Sequence, residues 1–213
     1  MSASLTWLYA RNYRRERWRN QQGWTREILR VPAIEAFDWR ASIAEINQNT
    51  LFSPFPGYRR TQVLLHGEGL RLSFADGREM HLGPPHEKTT FDGADLASCQ
   101  LSAGPVQVFN AIWDPDRIEL EVLHRPLVGS LIFPGTAGVQ WLLHLLAGRA
   151  RIAGSNNDEL AAGDSLWLRG NANQRTLLEG TGEALVLRLI DRAAAQTSSR
   201  LSLLPKPPEE PDA

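Results

Sequence analysis

Leu64-Leu-His-Gly67-Glu-Gly69-Leu-Arg-Leu72 and Leu145-Leu-Ala-Gly148-Arg-Ala-Arg-Ile152 are two versions of one pattern. In each, an apolar pair runs up to a glycine and an alternating apolar run follows. Leu82-Gly83 continues the first copy and Ala162-Gly163-Asp164 the second. Later glycine turns, Ser102-Ala-Gly104 and Gly180-Thr-Gly182, complete the correspondence. Glycine suits such places because tight hairpins need positive φ. A repeat on this scale predicts two similar β units in tandem.

Working outward, short apolar or alternating runs fill the chain. Thr25–Val31, stopped by Pro32, reads as a strand, as do Trp39–Ile46, Thr61–His66, Leu70–Phe74 and Met80–Leu82. Ala97–Leu101, Val106–Ile112, Ile118–His124 and Val128–Phe133 follow, then Val139–Leu146, Ala150–Ala153, Ser165–Leu168, Arg175–Glu179 and Ala184–Ile190. Turn residues punctuate them: Ala75-Asp76-Gly77, Gly83-Pro84-Pro85, Phe91-Asp92-Gly93. No long amphipathic helix is visible. The fold class expected is all-β, two β-barrels packed together with little helix. Residues 1–125 are assigned to an N-terminal arm and first barrel, 126–192 to a second barrel, and 193–213 to a flexible tail. The barrels are allowed to exchange strands, including the N-terminal segment.

Composition narrows the function classes. The chain has 213 residues and a net charge of -1, so no global field recruits nucleic acid or an anionic membrane. The opening residues mix Trp7, Tyr9, Tyr13, Trp18 and Trp24 with arginines, a mixture that could stack bases. The neutral whole favours an arm that packs its rings on the barrel instead. The single cysteine, Cys99, rules out an internal disulfide and suggests a cytoplasmic setting. No apolar run is long enough for a transmembrane helix, and no secretory leader pattern is seen.

The chemistry concentrates in residues 37–69. A strand at 39–46 repeats every second residue, so Arg40, Ser42 and Ala44 share one face. That face is small and polar around a guanidinium, unlike a plain core. Arg60 follows Phe52-Ser53-Pro54-Phe55-Pro56-Gly57, and with Trp39, Phe52 and Phe55 as walls these arginines suit a small anionic ligand.

Several motifs in series carry a family resemblance. Trp18-Arg-Asn20-Gln-Gln-Gly23-Trp-Thr25-Arg26-Glu27-Ile28 opens it, and Phe37-Asp-Trp39-Arg40-Ala-Ser42-Ile-Ala44 continues it. Phe52-Ser53-Pro-Phe55-Pro56-Gly57, Arg60, Phe91-Asp-Gly93, Gly104-Pro105 and Phe109-Asn110 complete it in order. The chain resembles the HutD/Ves family over residues 5–190. The resemblance implies a bicupin, two tandem cupin barrels of jelly-roll type. It further implies a regulatory link to bacterial histidine utilisation and a carboxylated, formyl-glutamate-like ligand. The ligand-binding residues expected are Arg60, Arg40, Asn110, Ser42, Glu27, Arg26, Trp39, Phe52 and Phe55. Three positions depart from the family pattern. Gln21-Gln22 replaces a glycine pair, Arg59 an acidic residue before the key arginine, and Val108 an aspartate two residues before Asn110.

Many cupins hold a metal with paired histidines and a glutamate. Here the five histidines contain no His-x-His, and His81 and His86 are separated by prolines. No metal, no other cofactor and no catalytic residue is expected. Cys99 lies in a strand, where a buried thiol is inert, and Asp164 reads as a turn residue. The leading expectation is a non-enzymatic binder of a small carboxylated metabolite. Two alternatives stand beside it. One is a metal-independent enzyme acting on a formylated or imino compound, with Glu27 as base. The other is a protein-interaction module using residues 1–17 and a barrel edge. Sheet edges could also pair two copies as a homodimer, a point the sequence leaves open.

Overall fold

The computed structural model describes residues 4–18, 21–154, 159–170 and 174–195. Strand β4 (Trp39–Ile46) shows how the layers arise. Successive side chains of a strand point to opposite faces, and in β4 both faces are buried or nearly so. Trp39, Ala41 and Ile43 enter one core, while Ala44 and Ile46 enter another. A strand buried on both sides belongs to a middle layer.

That layer is a six-stranded antiparallel sheet. Its spatial order is β2 (Arg14–Arg17), β3 (Gly23–Val31), β4, β11 (Val106–Trp113), β6 (Arg59–His66) and β9 (Lys88–Asp92). On one side lies a four-stranded sheet of β5 (Thr50–Leu51), β10 (Ala97–Leu101), β7 (Leu70–Phe74) and β8 (Glu79–Leu82). Leu64, Leu70, Leu72, Phe74, Phe91 and Val106 fill the space between the two. On the other side lies a sheet ordered β1 (Ser4–Leu8), β15 (Ser165–Arg169), β13 (Val139–Ile152), β16 (Arg175–Asp191) and β12 (Ile118–Pro134), with β14 (Glu159–Ala161) on β13. Trp39, Phe109, Leu142, Leu185 and Leu187 form the core between it and the middle sheet. This third sheet also encloses its own apolar core around Leu143, Leu145, Leu166, Leu178 and Val186. The regular structure among the described residues is nearly all strand, with a 3-10 turn at Ala10–Asn12 and a helical turn at 192–195. No helix among them is long and apolar enough to cross a membrane.

The structure differs from the sequence expectation in instructive ways. Residues 118–124 and 128–133, expected as two strands, form one strand, β12. The same fusion makes β13 and β16. Pro126 does not break β12 because, among the described residues, this strand pairs only with β16 and is an edge. Gly148 and Gly182, expected at hairpins, sit opposite one another inside β13 and β16. Both have positive φ, and a Cβ on either would meet the backbone of the other strand. They let two long strands bend at close approach, where the ladder also slips between Leu145 and Ala147. Residues 88–92, which carry no strong apolar alternation, are strand β9 on β6. The tail from residue 196 lies outside the described residues.

The opening segment is not a free arm. β1 pairs with β15 and β2 pairs with β3, so the chain crosses from the third sheet to the middle one. A polar network fixes the crossing. The Ala10 amide donates to Asp164 Oδ1 at 2.8 Å, and the Tyr13 hydroxyl donates to the Gly163 carbonyl at 2.9 Å. Ser165 Oγ lies 2.8 Å from that hydroxyl and 2.9 Å from His144 Nδ1. Asp164 is thus the turn residue expected, its other oxygen accepting from the Ala161 amide.

His144 is buried in this network, and burial, then the Arg26 charge, push its pKa down from 6.5 to about 4, with Asp164 opposing. Between those values the unfolded chain holds a proton the folded chain refuses. Stability is therefore full above the unfolded value and falls as pH drops toward about 4. The linked loss is about 3 kcal/mol for this one group. Urea unfolding across that window should show the slope, and His144→Gln, which keeps a partner for Ser165, should flatten it. An unchanged slope in the variant would place the acid sensitivity elsewhere.

Candidate ligand-binding site

The inner face of the middle sheet is built in rows by strand register. One row runs Arg30, Arg40, Ile112, Arg60 and Phe91 across β3, β4, β11, β6 and β9. The next runs Glu27, Ser42, Asn110 and Gln62. The third runs Thr25, Ala44, Val108 and Leu64, apolar except for its first member. Polar rows thus adjoin an apolar one on a face turned toward the four-stranded sheet.

These rows floor a cavity of about 490 Å³. Arg40, Ala44, Arg60, Gln62 and Asn110 line it from the sheet, and Thr25 from β3. Leu51, Phe52, Ser53 and Phe55 line it from the connection after β4. Glu16, Arg17 and Trp18 close it from the opening segment. Trp18 packs edge-on against Phe52 with ring centres 6.1 Å apart, and its indole N–H donates to Thr25 Oγ1 at 2.8 Å. The Phe55 loop is pinned at Gly93: the Phe55 amide donates to the Gly93 carbonyl at 2.6 Å, and the Gly93 amide to Tyr58 at 2.7 Å. A Cβ on Gly93 would run into the carbonyl oxygens of Phe55 and Tyr58. Only glycine allows this approach.

Arg60 dominates the site. It is 5% exposed. Its guanidinium carbon lies 5.3 Å from the Phe52 ring centre, 5.4 Å from Phe55 and 5.3 Å from Phe91. Aromatic faces attract a cation and partly offset its lost hydration. Two weak bonds are donated, to the Ser53 carbonyl at 3.3 Å and to Asn110 Oδ1 at 3.4 Å. No carboxylate among the described residues forms an ion pair with it, and Nε has no acceptor. Burial, and then the Arg40 charge, pull its pKa down to about 10. Ser42 Oγ and Gln62 Oε1 are likewise buried without partners among the described residues.

Arg40 is treated differently. Its Nε donates to Glu27 Oε2 at 2.6 Å, and Arg30 donates to the same oxygen at 2.6 Å. Burial alone would raise the Glu27 pKa, but the bonds from Arg30 and Arg40 outweigh it and hold the carboxyl below its ordinary value. Glu27 thus answers two guanidiniums, and the cavity lining, with Arg17, Arg40 and Arg60 against Glu16, carries excess positive charge.

The expected site residues divide by face. Arg40, Arg60, Asn110, Phe52 and Phe55 meet at the cavity. Glu27 and Ser42 share its face without lining it. Arg26 and Trp39 are on the opposite side of the sheet. Trp39, 1% exposed, packs against Trp167 with ring centres 6.0 Å apart. Arg26 approaches Glu45 at 2.8 Å and lines a different cavity with His144. Sequence reading overlooked Gln62, Ser53, Phe91 and Trp18. Gln62 was legible, since it stands two residues after Arg60 on one strand. Of the departures from the family pattern, Val108 is fully buried beside Asn110, and Arg59 faces away from the cavity. The donor set does not suit a metal, because no imidazole lines this cavity among the described residues and its guanidiniums oppose a cation.

Comparison with known proteins gives a consistent answer. The HutD family model matches residues 10–186. An uncharacterised 21.2 kDa protein in the hutC 3' region of Pseudomonas putida is 31% identical over 200 residues, covering 89% of this chain and all of that one (100%). HutD from Pseudomonas fluorescens SBW25, solved in a formate condition, superposes with a TM-score of 0.76 at 30% identity, over 89% of this chain and 100% of that one. The bacterial pirin YhhW from Escherichia coli, in complex with nickel(II), shares the fold at TM-score 0.67 and 10% identity, over 88% of this chain and 98% of that one.

A buried charge without an ion-pair partner among the described residues is a burden on the fold. Arg60→Met replaces it with an apolar side chain of similar length, which should stabilise the ligand-free chain by about 1–3 kcal/mol. Urea unfolding in a buffer free of small carboxylates measures this. A loss of stability would mean that Arg60 serves the fold.

Proposed function

The chain belongs to the HutD family, and from that premise we propose that it is a non-enzymatic receptor for a small carboxylated metabolite. The observation that carries this is the Arg60 guanidinium, buried among three aromatic rings without a carboxylate partner among the described residues. A ligand carboxylate supplies the missing charge and accepts from Arg60 Nε. A guanidinium matches a carboxylate in two parallel bonds, and such charge-assisted bonds are strong when water is excluded. Arg40, its Nε already on Glu27, adds positive potential and attracts a second acidic group. Gln62 and Asn110 offer amide donors and acceptors to a formyl or imino group. Phe52, Phe55 and Trp18 wall the site.

A formylated or iminated glutamate fits this set. It carries two carboxylates and one small polar substituent. The Pseudomonas putida relative lies in the hutC 3' region, which supports a role in modulating histidine utilisation, with the cytoplasm as its setting. The arrangement of Glu27 supports binding over turnover. A general base works best with a pKa near the operating pH. Two arginines hold Glu27 below the ordinary carboxylate range, so it orients Arg40 and takes up protons poorly.

A thermal-shift series tests the proposal. Formate, the condition in which the Pseudomonas fluorescens relative was solved, is the smallest probe; formyl-glutamate and succinate extend it. Binding to the folded state alone raises the melting temperature with ligand concentration. The shift should be largest for the formylated dicarboxylate, absent in Arg60→Met, and weakened at least tenfold in affinity in Arg60→Lys, which cannot form the paired bonds. A full shift in Arg60→Met would refute the assignment.

A further inference from the structure

We propose that His86, His124 and Glu183 form a divalent transition-metal site of zinc type at the junction of the middle and third sheets. One ligand atom from each lies within 4.8 Å of the others. His124 Nε2 is 3.1 Å from Glu183 Oε2, and His86 Nε2 is 3.6 Å from the same oxygen. The imidazole centres are 4.9 Å apart. Two neutral imidazoles and a carboxylate are the donor set of many zinc sites that keep one position open.

Local structure prepares His86 for this role. Its Nδ1 lies 2.9 Å from the Leu64 carbonyl oxygen. A carbonyl only accepts, so Nδ1 carries the proton and Nε2 keeps its lone pair toward the cluster. A ligating histidine is commonly fixed this way through its other nitrogen. His86 also holds φ at 56°, a left-handed conformation that non-glycine residues adopt rarely. His124 and Glu183 come from β12 and β16, where the register pairs His124 with Leu185 and Pro126 with Glu183. The two are diagonal neighbours on one face. A metal here would tie the turn before β9, in the first half of the chain, to the paired strands of the second half.

His86 and Glu183 also line a cavity of about 610 Å³ between the two sheets. The open coordination position would face that space and hold water or a small anionic ligand. No local motif announces the site, because its members stand on three separate elements. It is distinct from the Arg60 cavity, and its test is independent of that reading.

The full chain, freed of any affinity tag and stripped with chelator, is titrated with Zn²⁺ and with Co²⁺ at neutral pH. The expected result is one equivalent of Zn²⁺ bound, with visible cobalt absorption of tetrahedral type and a rise in melting temperature. His124→Ala and Glu183→Gln change exposed side chains and should fold as the parent does. Each should weaken binding by more than about tenfold and remove the melting shift. His81→Ala, on β8, and Arg60→Met should change neither. No binding up to millimolar metal, or binding unaffected by His124→Ala and Glu183→Gln, would overturn the site and leave an ordinary histidine–glutamate hydrogen bond.

Discussion

A positive charge held out of water needs a partner, and the guanidinium of Arg60 lacks a carboxylate partner within the described protein. Burying an ion is costly unless it is paired and hydrogen-bonded. Phe52, Phe55 and Phe91 supply ring faces, and Ser53 and Asn110 supply two long bonds. These offset part of the cost. On the proposed reading, an anion in the cavity would make up the remaining deficit. The neighbouring Arg40 shows the contrasting solution, since Glu27 already pairs it. Two arginines on one row of the sheet thus have different surroundings: Arg40 is paired with a carboxylate, and Arg60 has no carboxylate partner among the described residues.

The rest of the architecture serves that placement. A middle sheet buried on both faces lets one side anchor the molecule while the other carries polar rows. Trp39, Phe109 and Leu142 lock the sheet to the third layer. On the far side of the same strands, Ser42 Oγ and Gln62 Oε1 are buried without partners among the described residues. Buried polar groups without partners are rare in native proteins, and each one asks for a ligand or an ordered water. The Gly93 clamp holds the Phe55 loop over this face, and Trp18 brings the opening segment to its rim. Strand pairing at both ends of that segment explains why it is part of the site's frame.

Much of the fold was legible because strand period is a local property. The alternation in residues 39–46 correctly put Arg40, Ser42 and Ala44 on one face. The same rule sends Trp39 to the other face, although its ring places it among the expected aromatic walls of the site. Arg26, expected at the site from the motif it shares with Glu27, lies on the opposite side of the sheet. Extending the period to β6 would have found Gln62. What could not be read is what depends on distant pairing. β1 finds its partner in β15, at the other end of the chain. The fusion of short runs into β12, β13 and β16 depends on glycines that bend strands without ending them. His86, His124 and Glu183 meet only because three elements converge, and each histidine looked solitary in the sequence.

The central claim is that Arg60 Nε awaits an anion. The most direct measurement follows that one group: the Nε–Hε resonance of Arg60 in side-chain ¹⁵N spectra, assigned by comparison with Arg60→Lys, during titration with formyl-glutamate. The account predicts a saturable downfield shift of this resonance, larger than that of any other arginine, as the carboxylate takes the vacant bond. Saturable binding that leaves the Arg60 resonance in place would contradict it.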